Sequence, residues 1–136
     1  HYKTGRVSVT DSYGENLPYE NDFFDVVYIR QAMHHANNLQ TFVNQTARVL
    51  KKGGLFVSVR DHVVYNQTDK EWFLDKHPLH KFYGGENAFT FEEYKNAIEG
   101  AGLKIIRVFN HYDTVINYFP ETQREIEEKK KEEVPP

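Results

Sequence analysis

Apolar and polar positions along the chain follow two different periods, which together predict strands joined by helices. Arg6 to Thr10 alternates apolar and polar residues, as a short strand with one buried face does. Phe24 to Ile29 is an almost continuous apolar run, which is typical of a strand covered on both faces, and Leu55 to Val59 has the same character. We therefore predict three strands of one sheet in the first 59 residues.

The segment between the second and third predicted strands has helical spacing. Its apolar face is formed by Leu39, Phe42, Val43, Thr46, Ala47 and Leu50. Asn37 or Asn38 can cap the start of this helix, and Gly53 can adopt the left-handed turn that ends it. A strand, a helix and a second strand with short joints predict a right-handed parallel crossover.

Two further helices are indicated by their starting sequences. Thr68-Asp69-Lys70-Glu71 resembles a capping box and predicts a short helix that ends before His77-Pro78. Thr90 and Glu93 predict a second capping box, supported by an apolar contact between Phe89 and Tyr94. The second helix is expected to continue to about Gly100 and to end at the glycines there.

The last third of the chain is predicted to add two strands to the sheet and to end in a tail without an apolar core. Leu103 to Phe109 and Thr114 to Phe119 read as two strands whose short joint favours an antiparallel pair. Residues 121–136 are highly charged, so we expect a frayed helix or disorder there. The predicted organisation is one domain over residues 1–120 followed by a charged tail over residues 121–136.

Composition limits the classes of partner. With 136 residues and 39% hydrophobic content, the chain can build one domain core. A formal net charge of −3 with scattered basic residues argues against nucleic acid as a partner. The sequence has neither a signal peptide nor an apolar run of membrane-spanning length, so no membrane partner is expected. The absence of cysteine excludes thiolate chemistry and fits a reducing, cytoplasmic compartment.

Five sequence motifs follow one another in a recognisable order. They are Asp11, Leu17-Pro18-Tyr19, Phe24-Asp25-Val26-Val27, His34-His35, and Arg48-Val49-Leu50-Lys51-Lys52-Gly53-Gly54. In this order and spacing the chain resembles the type 11 branch of class I S-adenosylmethionine-dependent methyltransferases, most closely over residues 6–61. The resemblance implies an α/β fold: a partial Rossmann-like sheet comprising strands three to seven, parallel with an antiparallel last strand, and helices on its faces.

Part of the family pattern does not occur in this sequence. The Gly-rich loop after the family's first strand and the acidic residue that ends its second strand have no counterpart here. The chain also begins at His1 rather than at Met and opens almost directly into a predicted strand. We therefore expect the C-terminal part of a methyltransferase domain, whose exposed sheet edge offers a surface for self-association.

The resemblance implies S-adenosylmethionine as the cofactor and assigns residues to it. Asp11 would accept a hydrogen bond from the adenine amine, the Ser12 backbone N–H would meet a ring nitrogen, and Leu17 would cover one adenine face. Arg30 and Gln31 follow the strand at the ligand edge, where the family contacts the methionine moiety. Asp11 in a local turn, Leu17 in ordinary packing and Arg30 in a surface ion pair are the alternatives.

The remaining candidates concern the methyl acceptor. His34 and His35 could take a proton from an acceptor hydroxyl or amine, or could instead orient their loop. Asp61, His62 and Tyr83 are expected to contact the substrate. His77 and His80 could supply two metal ligands, but the sequence provides no well-spaced third ligand, so we predict no metal.

The sequence therefore favours methyl transfer from S-adenosylmethionine to a small-molecule acceptor. A different class of function, a catalytically silent interaction domain or half-domain that needs a partner chain, is the alternative. A dinucleotide-binding dehydrogenase is disfavoured because its Gly-rich turn is missing.

Overall fold

The computed structural model of the chain describes residues 5, 7–76, 87–110, 113–115 and 119–132. These residues fall into two compact units, one extending to Lys104 and the other beginning at Ile105. Each unit is described by itself below.

The first unit is built on a parallel strand–helix–strand crossover. Strand β1 spans Phe24–Arg30, helix α1 spans Leu39–Val49 and strand β2 spans Leu50–Val59. β1 and β2 pair in parallel, so their carboxyl ends lie at the same edge of the sheet. The predicted parallel crossover is confirmed, and a short 3-10 turn, Met33–His35, lies between β1 and α1.

Helix α1 begins where the sequence predicts. The side chain of Asn38 accepts a hydrogen bond from the Thr41 backbone N–H at 2.9 Å, which selects Asn38 over Asn37 as the cap. The helix buries a stripe at i, i+4, i+7 and i+10, consisting of Leu39, Val43, Thr46 and Val49. It ends at Val49 because Leu50 is already extended, so the prediction that Gly53 stops the helix is wrong.

The two glycines instead shape a bulge in β2. Gly53 has a φ of 77°, which glycine tolerates far better than other residues. A Cβ on Gly54 would lie 2.8 Å from the Lys51 carbonyl oxygen and 3.0 Å from the Asp25 carbonyl oxygen, so a side chain is excluded there. The bulge shifts the register with β1 between Phe24 and Val26.

The rest of the first unit completes its core. Strand β3 spans Val63–Val64, helix α2 Gln67–Lys76, strand β4 Phe89–Thr90 and helix α3 Phe91–Gly100. β3 and β4 form a second, short parallel pair. The core of the unit lies between the helices and one face of β1 and β2, and its buried members are Met33, Leu39, Val43, Phe89, Tyr94 and Ala97.

The two helix starts differ in how well the sequence predicted them. At α3, Thr90 and Glu93 form the predicted reciprocal capping box, and the rings of Phe89 and Tyr94 meet edge to face at 5.5 Å. At α2 the predicted box is wrong, because the cap is Asn66, whose side chain accepts from the Asp69 N–H at 2.9 Å.

One face of the β1–β2 pair remains open among the described residues. Val26, Tyr28 and Leu55 are 53%, 61% and 45% exposed, whereas Ile29 and Phe56 pack against the core. The expectation that both faces of β1 are covered is therefore wrong for this structure. Helices α1 and α3 contribute to the core on the opposite face.

Three predicted strands are not formed in the part of the chain that the structure describes. Residues 7–10, 103–110, 113–115 and 119 contain no strand. Arg6 and residues 116–118 lie outside the described residues. A strand needs a neighbour to satisfy its backbone groups, and no described segment pairs with 7–10 or 103–110. Val9 and Ile106 are accordingly 84% and 76% exposed.

The second unit is described locally. The guanidinium of Arg107 lies 4.6 Å from the centre of the Phe109 ring. Helix α4, Gln123–Glu132, starts with a reciprocal pair of hydrogen bonds between Thr122 and Glu125, and these hydrogen bonds lower the pKa of the Glu125 carboxyl. The described part of the charged tail is thus helical to residue 132, while its predicted fraying stays a prediction.

Candidate functional site

Both strands of the main sheet end in strained backbone at the same edge. Gln31, the residue after β1, has a φ of 48°, and Arg60, the residue after β2, has a φ of 59°. This left-handed region is sparsely populated by residues other than glycine, and holding a residue there costs about 1–3 kcal/mol. The strain turns each chain sharply at the strand end, so the residues that follow fold over this edge.

A buried histidine–aspartate pair joins the two loops that leave this edge. His34, in the 3-10 turn after β1, places its Nδ1 3.0 Å from Oδ1 of Asp61, which follows β2. The same carboxylate accepts the His34 backbone N–H at 3.1 Å and the Ser58 hydroxyl. The side chains of His34 and Asp61 are only 5% and 7% exposed. Asp61 therefore ties the carboxyl ends of the two strands together.

Aromatic rings surround this pair. The His34 ring lies 4.1 Å from that of His35 and 4.7 Å from that of His62, measured between ring centres. The His62 ring contacts Phe73 of helix α2 at 5.1 Å. The Tyr94 hydroxyl donates a hydrogen bond to the His62 carbonyl at 2.9 Å, which links helix α3 to the same loop.

The pH dependence of stability should report on Tyr94. Burial, and then the nearby charges of Asp61 and Glu93, raise the pKa of its phenol well above the ordinary value. The unfolded chain ionises this phenol at about pH 10, so the stability it contributes is present below that pH and is lost as pH rises toward the folded pKa. Urea unfolding of the wild type and of Tyr94→Phe, measured from about pH 8 to about pH 11, should show their stability difference shrinking above about pH 10. A pH-independent difference would contradict the prediction.

The segment from Asp11 to Asp22, termed the adenine loop below because the resemblance assigns adenine contacts to it, runs against helix α1. Gly14 lies so close to Phe42 that a Cβ would overlap the ring. The Glu15 carboxylate accepts the backbone N–H of Asn37 at 2.8 Å, just before the helix begins. The loop is thus held by the packing of Gly14 against Phe42 and by the hydrogen bond that the Glu15 carboxylate accepts.

Arg48, in the last turn of α1, makes most of the other hydrogen bonds that attach the adenine loop to the helix. Its guanidinium donates to the carbonyls of Leu17 at 2.9 Å and Tyr19 at 2.7 Å, and to the side chain of Asn21 at 3.0 Å. Gln45 supports it, because its Oε1 accepts from Arg48 Nη2 at 2.9 Å and from the Leu17 N–H at 3.2 Å.

The predicted site residues fall into separate groups. His34, His35, Asp61 and His62 are brought together at the strand ends. Arg30 and Gln31 are exposed at the end of β1, while Asp11 and Ser12 are exposed on the adenine loop and Leu17 is half-buried there. Tyr83, His77 and His80 lie outside the described residues. Among the described residues, no group of three His, Cys, Asp or Glu could hold a metal ion.

Sequence reasoning missed two residues that hold loops of this unit in place, Arg48 at the adenine loop and Ser58 at the strand ends. Arg48 was noted only as part of a motif, although it is the one charged residue of α1. Ser58, the one polar residue in the apolar run that ends β2, was not considered, and it donates to Asp61. In both cases the signal was an isolated polar residue in an element that is otherwise uncharged or apolar.

A cavity of about 330 Å³ lies at the opposite end of the β1–β2 pair. It is lined by residues that include Asp22, Leu50, Gly53 and Leu103. Because Asp22 precedes β1 whereas His34 follows it, this cavity is remote from the histidine–aspartate pair. We assign it no role in the candidate site.

Comparison with known proteins finds similarity to methyltransferases in the first part of the chain. Residues 2–58 match the type 11 family of methyltransferase domains. The match covers less than half of this chain. The α/β fold of the chain also matches that of Rossmann-like methyltransferases, as shown by the solved structure of BH2331 from Bacillus halodurans, described as a candidate methyltransferase. That structure superposes with a TM-score of 0.63 at 22% identity, covering 86% of this chain and 52% of that one.

Two curated proteins are also similar to this chain. An uncharacterized protein of Methanocaldococcus jannaschii, MJ1123, is 26% identical over 118 residues, which are 80% of this chain and 54% of that protein. The uncharacterized methyltransferase YcgJ of Bacillus subtilis is 44% identical over 48 residues, 35% of this chain and 19% of YcgJ. The crystal structure of YcgJ superposes with a TM-score of 0.60 at 25% identity, covering 74% of this chain and 43% of that structure. The chain thus spans about half the length, or less, of these relatives.

The described helices contain no segment that is both long and apolar enough to cross a membrane.

Proposed function

We propose that the methyltransferase domain transfers a methyl group from S-adenosylmethionine to a small-molecule acceptor. The observation that carries the proposal is the edge where β1 and β2 end. There two left-handed residues and a buried His34–Asp61 pair hold adjacent loops in place, at the position where open α/β sheets bind small molecules. The family match of residues 2–58 supports the choice of cofactor.

The adenine loop has features that suit the cofactor's adenosine. Asp11 and Ser12 are exposed, so the Asp11 carboxylate can accept a hydrogen bond from an exocyclic amine while the Ser12 N–H donates to a ring nitrogen. Leu17 is half-buried and has its backbone fixed on both sides, which suits an apolar cover over one ring face. We assign adenine recognition to these three residues.

The end of β1 would serve the methionine portion of the cofactor. Arg30 can pair with a carboxylate through its fork of donors, and Gln31 presents polar atoms from its left-handed position. The bound cofactor would supply a sulfonium whose methyl group is transferred in line to the acceptor. The protein's part would be orientation and exclusion of water.

The two histidines would have different tasks in this scheme. His34 is buried and bonded to Asp61, so it would orient the loop rather than exchange protons with the acceptor. His35 is exposed beside it and is the better candidate to accept the acceptor's proton. His62 and Tyr83 would contact the acceptor, whereas Asp61 would act through His34.

The acceptor would be a small molecule rather than nucleic acid or a membrane surface, in keeping with a net charge of −3. A cytoplasmic location and self-association through the open edge of β1 remain predictions of the sequence.

Isothermal titration with S-adenosylhomocysteine tests the cofactor assignment. We expect binding by this chain or by a longer natural protein that contains it, and Asp11→Ala should weaken that binding by about tenfold or more, the value of a charged hydrogen bond. Glu99→Ala, which removes an exposed carboxylate of α3, is the matched control and should leave the affinity unchanged. Absence of binding by both wild-type proteins would contradict the proposal and favour a silent interaction domain.

A further inference from the structure

We propose that Arg48 is a positioning residue that holds the adenine loop in its cofactor-binding shape. This inference rests on the proposed function, because it assumes that the loop contacts the cofactor. Arg48 itself is not assigned to the cofactor, because its guanidinium donates to Leu17, Tyr19, Asn21 and Gln45.

The loop needs donors that its own backbone cannot supply. Pro18 has no N–H and forces Leu17 toward extended backbone, so a helical turn cannot satisfy the carbonyls on either side of it. Arg48 Nη2 donates to the Leu17 carbonyl and Nη1 to the Tyr19 carbonyl. One planar guanidinium therefore spans the proline and fixes the direction of the chain on both sides.

Helix α1 and Gln45 hold Arg48 in a fixed position. Arg48 lies between two of the most deeply buried residues of the unit, Thr46 and Val49, on helix α1. Its side chain is held at Nε and Nη2 by Gln45 Oε1, at 3.3 Å and 2.9 Å. Its own carbonyl accepts the Asp22 N–H at 3.0 Å, which fixes the far end of the loop. Side chains on such an element place their partners more accurately than side chains on a loop.

Geometry, rather than charge alone, is what Arg48 contributes. A lysine at this position would keep the positive charge, but it presents a compact ammonium without the planar fork that bridges two carbonyls. Arg48→Lys therefore separates positioning from electrostatics. Gln45→Ala tests the same arrangement from its other side, because Gln45 Oε1 contacts both Arg48 and the Leu17 N–H.

The first experiment requires no ligand. Amide hydrogen exchange is measured in wild type, Arg48→Lys and Gln45→Ala. The Leu17 amide donates to Gln45 Oε1 and the Asp22 amide to the Arg48 carbonyl. Exchange at both should accelerate about tenfold or more, because the loop opens locally more often once the hydrogen bonds from the guanidinium or from Gln45 are lost. Amides of the β1–β2 ladder should keep their wild-type rates. Arg124→Gln, on exposed α4, removes an equal charge elsewhere and should change neither set.

The second experiment measures binding and turnover. Arg48→Lys should weaken S-adenosylhomocysteine binding by about tenfold. In an active longer protein it should raise the KM for S-adenosylmethionine and leave kcat at saturation unchanged, because the reacting atoms are untouched.

The outcomes separate this inference from the proposed function. Unchanged exchange at Leu17 and Asp22, or equal acceleration throughout the unit, would overturn the positioning role. Accelerated loop exchange with unchanged affinity for S-adenosylhomocysteine would overturn it as well. Failure of the wild type to bind S-adenosylhomocysteine would instead count against the proposed function.

Discussion

Replacing Asp61 with alanine is expected to lower the free energy of unfolding by about 3 kcal/mol. The Asp61 carboxylate accepts from the ring and the backbone N–H of His34 and from the hydroxyl of Ser58. Removing it leaves these donors without that acceptor at a site where the two ionisable side chains are 5% and 7% exposed. The two His34 donors are buried, whereas the Ser58 hydroxyl is exposed and can bond to water. An unsatisfied buried donor costs about 1–3 kcal/mol, and the two costs do not add fully because the donors share one site.

Urea unfolding measures this effect, and the chain offers a matched control. Asp25 is another aspartate with a side-chain partner, Lys51 at 3.2 Å, but the Asp25 side chain is 83% exposed. Asp25→Ala should therefore change stability by no more than about 0.5 kcal/mol. Asp61→Asn, which keeps the shape but has only one acceptor oxygen, should fall between the two. Equal losses for Asp61→Ala and Asp25→Ala would show that the buried pair does not join the strand ends as described.

Gly14→Ala is expected to destabilise the protein by about 2 kcal/mol and to loosen the adenine loop. A Cβ at this position would overlap the edge of the Phe42 ring, and Phe42 packs against the core cluster, so the ring cannot simply swing away. The structure must shift either the loop or the core, and both are costly. Thermal unfolding and exchange at the Leu17 amide would report the two consequences separately.

A double-mutant cycle with Phe42→Leu makes the cause explicit. A smaller side chain at position 42 leaves room for the new methyl group, so Gly14→Ala should cost about 1 kcal/mol less in that background. Gly100→Ala is the control, because a Cβ there meets only the side chain of Gln40 at 3.0 Å or more. In helix α3 this change should be neutral or slightly stabilising. Additive effects of the changes at positions 14 and 42 would contradict the packing account.

The elements that the sequence predicted well are those specified by neighbouring residues. The Asn38 cap, the apolar stripe of α1 and the Thr90–Glu93 capping box all depend on residues a few positions apart. The parallel pairing of β1 and β2 followed from the short joints around α1. In each case the information lies in one continuous stretch of sequence, at most the strand–helix–strand segment of residues 24–59.

The predictions that failed depended on partners elsewhere. The alternating pattern of residues 7–10 and the apolar run over 103–109 both have strand character, yet neither has a neighbour to complete its hydrogen bonds among the described residues. The start of α2 failed for a local reason, since Asn66 and Thr68 are both good caps and only the backbone geometry distinguishes them.

The candidate site shows the same division. The polar residues after each strand were predicted to lie at one edge, and His34, His35, Asp61 and His62 do lie together there. Their roles toward cofactor and acceptor stay predictions. The hydrogen bond between Asp61 and His34 could not be predicted, because 27 positions separate the two residues.

By itself, the sequence predicted the resemblance to methyltransferases that the family match of residues 2–58 supports, the α/β class, and the helix–strand order around α1, since motif order and periodicity are local properties. Only the tertiary structure decided that Asp61 joins two strand ends and that Arg48 fixes a loop more than 25 positions before it. Hydrogen-bond geometry between distant segments exists only after the chain has packed, so no local pattern encodes it.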